Sequence, residues 1–198
     1  MKKILCLLIV LTSVSFADST YYLLGLRNSK HAMVGARYKN YGVVVENSLY
    51  VQSIDLQYIR ASVFYRFDLP LNLSGYYALY SGIQYNRNFF DVGAVANLKW
   101  NPLGKYLQMS ATIMPFYDSD LDRQFGYSFG IQTIPLSEIG LFVNLKNIPD
   151  YRVLENRLAA GLVFVFEHMT VKPEISVPLD FNLDYARVSV SFVYENLF

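Results

Sequence analysis

From Tyr21 onward, apolar and polar residues alternate with period two in nearly every segment between turn signals, and no window keeps a helical period. Leu107, Met109, Ala111 and Ile113 alternate with Gln108, Ser110 and Thr112. Phe125, Tyr127, Phe129 and Ile131 alternate with Gln124, Gly126, Ser128, Gly130 and Gln132. Phe90, Val92, Ala94, Ala96, Leu98 and Trp100 alternate with Asp91, Gly93, Asn97 and Lys99. Side chains on a strand point to its two faces in turn, so each segment carries one apolar and one polar face. The chain is 53% hydrophobic, yet beyond Ala17 it holds no apolar run near the roughly 20 residues of a spanning helix. Such a chain either buries its apolar faces in a soluble core or shows them to lipid as a closed sheet.

The alternation predicts about twelve strands, near 20–27, 30–39, 41–51, 55–67, 74–86, 88–100, 105–117, 123–134, 139–147, 156–168, 170–178 and 183–197, with ten as the alternative count. Asn101-Pro-Leu-Gly104, Asp118-Ser-Asp-Leu-Asp122 and Pro135-Leu-Ser-Glu138 supply turn chemistry after strong strands. There is no linker and no long repeat, only the rhythm of successive hairpins. The expected fold class is all-β, a single transmembrane antiparallel up-and-down barrel over residues 18–198.

The two ends agree with that address. Met1-Lys2-Lys3, an apolar run from Ile4 to Val14 and Ser15-Phe16-Ala17 have the layout of a signal peptide, residues 1–17, cleaved after Ala17. Its removal leaves 181 of the 198 residues, with 15 basic residues against 16 acidic ones. Nothing in that balance favours nucleic acid as a partner. The single cysteine, Cys6, leaves with the leader, which removes disulfides, thiol nucleophiles and cysteine metal sites from consideration. At the other end, Val188, Val190, Phe192, Tyr194 and Phe198 share one face of a strand whose other face carries Arg187, Ser189, Ser191 and Glu195. Val190, Phe192, Tyr194 and the closing Phe198 resemble the terminal strand of bacterial outer-membrane β-barrels. That resemblance implies recognition by the barrel insertion machinery, outer-membrane lipid as the surrounding partner and localisation in the cell outer membrane.

An even strand number brings both termini to one side, the periplasmic side in such barrels. The segments around Asn28, Gln52–Ser53, Asn86–Asn88, Asp118–Asp122, Ile148–Glu155 and Leu179–Leu183 then become outward loops. Alternation alone leaves the facing open, because a soluble lipocalin-like barrel would turn the same apolar stripe inward around a hydrophobic ligand. The polar stripe is rich in small residues, among them Gly35, Ser62, Gly82, Gly93, Ser110, Gly126, Ser128, Gly130 and Gly161, which suits a crowded lumen. Tyr22, Tyr38, Phe67, Tyr77, Tyr85, Phe90, Trp100, Tyr117, Phe125, Phe166 and Phe198 lie near strand ends, where interfacial girdles form.

With lipid outside, the lumen receives Arg27, Arg37, Lys39, Arg60, Arg66, Lys99, Lys146, Arg157, Lys172 and Arg187 against Glu46, Asp91, Glu167, Glu174 and Glu195. An isolated ion in a confined interior costs several kcal/mol, so these charges should pair. The expected role is a structural barrel or a narrow passive pore for small solutes whose cationic excess favours anions.

Catalysis is the other class to weigh. Lipid acyl hydrolases with barrel folds resemble one another in a His-x-Ser pair, and the nearest match here is His168-Met169-Thr170, which departs at the nucleophile and falls at a periplasmic turn. Asp118, Asp120 and Asp122 have the opening spacing of a calcium loop, but without its glycine and distal glutamate. No Walker loop, dinucleotide fingerprint or zinc spacing appears, so no cofactor is expected.

Overall fold

In a computed structural model of the protein, residues 20–27, 31–48, 58–84, 89–120, 122–134, 138–147 and 155–195 are described. Residues 1–17, where a signal peptide is expected, and Phe198 fall outside them. The described residues form twelve strands: β1 Thr20–Arg27, β2 His31–Tyr38, β3 Tyr41–Ser48, β4 Tyr58–Leu69, β5 Leu73–Gln84, β6 Phe89–Trp100, β7 Leu107–Asp118, β8 Asp122–Thr133, β9 Ile139–Lys146, β10 Arg157–Val165, β11 Met169–Pro178 and β12 Arg187–Glu195. Each pairs antiparallel with its neighbours in sequence, and β1 pairs with β12 through Leu23↔Glu195 to Leu26↔Phe192, which closes the barrel. Closure leaves no sheet edge, so the ladder satisfies the backbone groups of the strands. No described helix is long and apolar enough to cross a membrane.

The sequence expectation of twelve strands holds, and the departures have local causes. The expected 156–168 strand stops at Val165, because Phe166 to His168 make the turn into β11. The expected 183–197 strand starts only at Arg187, since Leu183–Tyr185 form a 3-10 turn capped by the Asn182 side chain, which accepts from Asp184 N. Two prolines interrupt the ladder without shifting its register. Opposite Pro115 the β6–β7 pairing skips from Gly93↔Phe116 to Ala96↔Ile113, and beside Pro173 the β10–β11 pairing skips from Gly161↔Glu174 to Phe164↔Val171. Proline has no N–H to give, so each ladder loses its bond there.

The strands run between two ends. The terminal end, where β1 starts and β12 finishes, has connections of two to six residues, such as Lys39-Asn40 with Lys39 in the left-handed region at φ 53°. The distal end carries the longest connections, residues 49–57 and 147–156.

Register settles the facing. Leu79, Ile83, Val92, Leu98, Ile113, Phe129, Ile131, Leu141 and Val143 all turn away from the interior and are exposed. Outward aromatics pair across strands, with Phe67 stacked on Tyr77 at 4.9 Å and Phe90 against Tyr117 at 5.8 Å. The small polar stripe, from Gly35 and Ser62 to Gly130 and Gly161, faces inward. A soluble barrel of the lipocalin kind has the opposite arrangement, so that alternative is set aside.

Candidate functional site

The interior holds a cavity of about 460 Å³ against the wall formed by β1 to β7. Parity places its lining: on β4, even-numbered residues face inward and bring Arg60, Ser62, Phe64 and Arg66 to the wall, while β5 adds Tyr76, Ala78 and Tyr80. Arg27, Arg37, Arg60, Arg66 and Lys99 line the cavity, and Glu46 is the one carboxylate residue among its lining residues. The opposite wall is packed. Ala159 and Val163 on β10 are fully buried, and Lys146 meets Glu174 at 2.6 Å while Lys172 donates to Gln132 Oε1 at 2.9 Å.

At the distal end the charges pair as confinement requires. Arg27 lies 2.7 Å from Glu46 and Arg60 3.1 Å from Asp91. Tyr58 donates its hydroxyl hydrogen to Asp91 at 2.7 Å and accepts from Arg60 Nε at 2.7 Å. The Arg60 guanidinium also rests over the Tyr80 ring, 4.2 Å from its centroid. Tyr80 Oη and Asn97 Oδ1 are buried without a hydrogen bond inside the protein, in residues that line the cavity.

A second network closes the far side of the distal end. Arg157, 4% exposed, donates to Glu155 at 2.6 Å, to Ser176 Oγ and O at 3.3 and 2.9 Å, and to the Tyr185 carbonyl at 2.6 Å. Glu155 also meets Arg187 at 3.2 Å.

Most of the lumen charges expected from sequence face inward: Arg27, Arg37, Glu46, Arg60, Arg66, Asp91, Lys99, Lys146, Arg157, Lys172, Glu174 and Arg187. Two do not, and both fall in turns. Lys39 occupies the β2–β3 hairpin with its Nζ 5.3 Å from the Tyr38 ring centroid, and Glu167 lies in the β10–β11 turn with its side chain 88% exposed. Two-residue alternation overruns a strand end whenever the turn residues happen to keep the pattern. The Glu195 side chain and Phe198 lie outside the described residues. Val190, Phe192 and Tyr194 take the outward face of β12, in register with β1 and β11.

Sequence reading missed the inward tyrosines. Tyr21, Tyr58, Tyr76 and Tyr80 share parity with the lumen charges, and that shared parity was the available signal. It also counted Glu155 as a loop acid, although this residue joins two arginines. His168 stays in its turn beside Glu167 at 3.7 Å and the Tyr194 ring. Asp118 caps its own turn by accepting from Asp120 N at 2.8 Å, and no group of three metal-ligating side chains suited to an ion occurs among the described residues.

No family model and no curated protein sequence matches the chain. Solved structures do. The KdgM porin in complex with disordered oligogalacturonate matches at TM-score 0.62 and 12% identity, over 88% of this chain and 97% of that one. A KdgM porin matches at TM-score 0.62 and 11% identity, with the same coverage. The NanC porin matches at 0.50 and 13%, over 89% and 98%. The fold is therefore that of small bacterial outer-membrane barrels, traced over nearly the whole length of both chains.

Proposed function

We propose that the protein is a passive outer-membrane pore for small anionic solutes. The observation that carries this is the cavity lining inside a closed barrel, in which five cations are met by Glu46 in the lining and by Asp91 paired to Arg60 from behind it. A cleft lined by one sign of charge concentrates ions of the other sign. Oligogalacturonate, the molecule named with one KdgM structure, is a carboxylated sugar chain, an anion of the kind that a cationic lining concentrates.

The address follows the same reading. The exposed apolar belt meets outer-membrane lipid, the leader over residues 1–17 carries the chain across the inner membrane, and the final strand ending at Phe198 is read by the insertion machinery. The site is one of passage and not of reaction, since His168 sits exposed in a terminal-end turn, away from the cavity lining. Single-channel recording of the refolded protein in a planar bilayer tests this. Discrete current steps with a reversal potential on the anion side are expected. A barrel that inserts and stays silent is a structural one closed by its own ion pairs, and cation selectivity would also overturn the proposal.

A further inference from the structure

The five cavity cations divide along the barrel. Arg27 ends β1 and Arg60 lies near the start of β4, both at the distal end, and each contacts a carboxylate, Glu46 at 2.7 Å and Asp91 at 3.1 Å. Arg37, Arg66 and Lys99 stand toward the terminal ends of β2, β4 and β6. Among the described side chains, Glu46, Asp91, Asp118 and Glu174 occupy the distal halves of their strands on the inner face. Asp68 has the inward parity of β4 but is exposed at its terminal end, opposite Ser74, and Glu138 and Glu167 lie exposed in connections at that end. Arg37 lies over the Tyr21 ring at 4.4 Å, a contact that fixes the guanidinium and adds no negative charge. Arg66 is exposed in the cavity wall.

We propose that the pore's preference for anions is set in its terminal half by Arg37 and Arg66, while the distal cavity cations, Arg27 and Arg60, are neutralised by Glu46 and Asp91 and add no net charge to the path. The inference rests on the channel reading above. A neutralised pair presents only a dipole to a passing ion, whereas one charge about 7 Å away in water changes ion occupancy by about threefold. Placing that charge at one end also makes the current unequal for the two signs of voltage, most strongly at low salt, where screening is weakest.

The test is the reversal potential of single barrels under a potassium chloride gradient, on protein whose folding is checked by heat-dependent gel mobility. Arg37→Gln and Arg66→Gln are each expected to lower the chloride-to-potassium permeability ratio by about sevenfold, chloride losing and potassium gaining about threefold, and to reduce the voltage asymmetry. Glu46→Gln, which releases Arg27 from its partner, is expected to raise the ratio. Arg66→Cys, in a mature chain with no other cysteine, allows the charge to be put back after folding. A cationic thiol reagent should restore the wild-type ratio, and an anionic one should lower it further. A conducting, anion-selective barrel whose ratio is indifferent to both substitutions and to the thiol reagents would overturn this inference and leave the channel reading intact. A wild type with no conductance would overturn both.

Discussion

The Tyr58 hydroxyl lies 2.7 Å from both carboxylate oxygens of Asp91, joining β4 to β6 across the inner face of β5. Tyr58 and Asp91 are each 5% exposed, and Arg60 binds both. Removing one partner of a buried ion pair strands the other, at about 3–5 kcal/mol. Asp91→Ala should therefore lower the stability of the folded barrel by about that amount, and Tyr58→Phe by about 1.5–3 kcal/mol for a hydrogen bond to a charged group. The double variant should cost less than the sum, because both changes break one network. Denaturant titration in detergent reads all three, and strict additivity would show that the groups act independently.

Gly82 sits between Arg60 and Asp91 in the register of β4, β5 and β6. A Cβ built there runs into the Tyr58 hydroxyl and the Asp91 carboxylate. Gly82→Ala is expected to destabilise by about 1–3 kcal/mol through overpacking. Gly130 is the control on the same inner face, since its Cβ would meet the Ser110 hydroxyl at 2.9 Å, a group that can rotate away. Equal midpoints for the two alanine variants in the same titration would contradict the argument.

The barrel was legible in the sequence because its physics is local. Period two survives in a strand whatever its partner, so twelve segments and their parity could be read from residues such as Leu107 to Ile113 alone. Parity also delivered Arg60, Asp91, Lys146 and Glu174 to the interior. What it lacked was height along the barrel and identity of partner. Arg60 and Arg66 share a face and a strand, yet one is paired and the other stands in the cavity wall, a difference set by strands distant in sequence. Glu155 looked like a solvated loop acid because its two arginines, Arg157 and Arg187, come from different strands. Strand ends were the other blind spot, since Lys39 and Glu167 kept the alternation into turns.

Leu79 lies midway along β5 on the outer face and is 64% exposed. In water an exposed leucine replaced by arginine changes stability little, but at the middle of a bilayer the same arginine costs about 2–4 kcal/mol. Leu79→Arg is therefore expected to lose about that stability in lipid vesicles. A variant as stable as wild type in vesicles would place this face in water and remove the membrane assignment.

Arg157 holds the segment between β11 and β12 to the barrel wall through its 2.6 Å bond to the Tyr185 carbonyl, and Ser176 and Glu155 fix the guanidinium from two sides. That segment exposes Leu179, Phe181, Leu183 and Tyr185, so its order depends on anchors more than on apolar burial. Arg157→Met keeps the volume of the stem and removes every one of these bonds. Each bond to a charged group is worth about 1.5–3 kcal/mol, and tenfold in an opening equilibrium requires about 1.4 kcal/mol. Chymotrypsin should therefore cut the folded variant between Leu179 and Ala186 at least about tenfold faster than wild type, when opening is fast relative to cleavage. The strands remain paired, so gel mobility before heating should be unchanged. Equal cleavage rates would mean that the segment is held by its own turns, Asn182 on Asp184 among them, and that Arg157 serves only to pair Glu155.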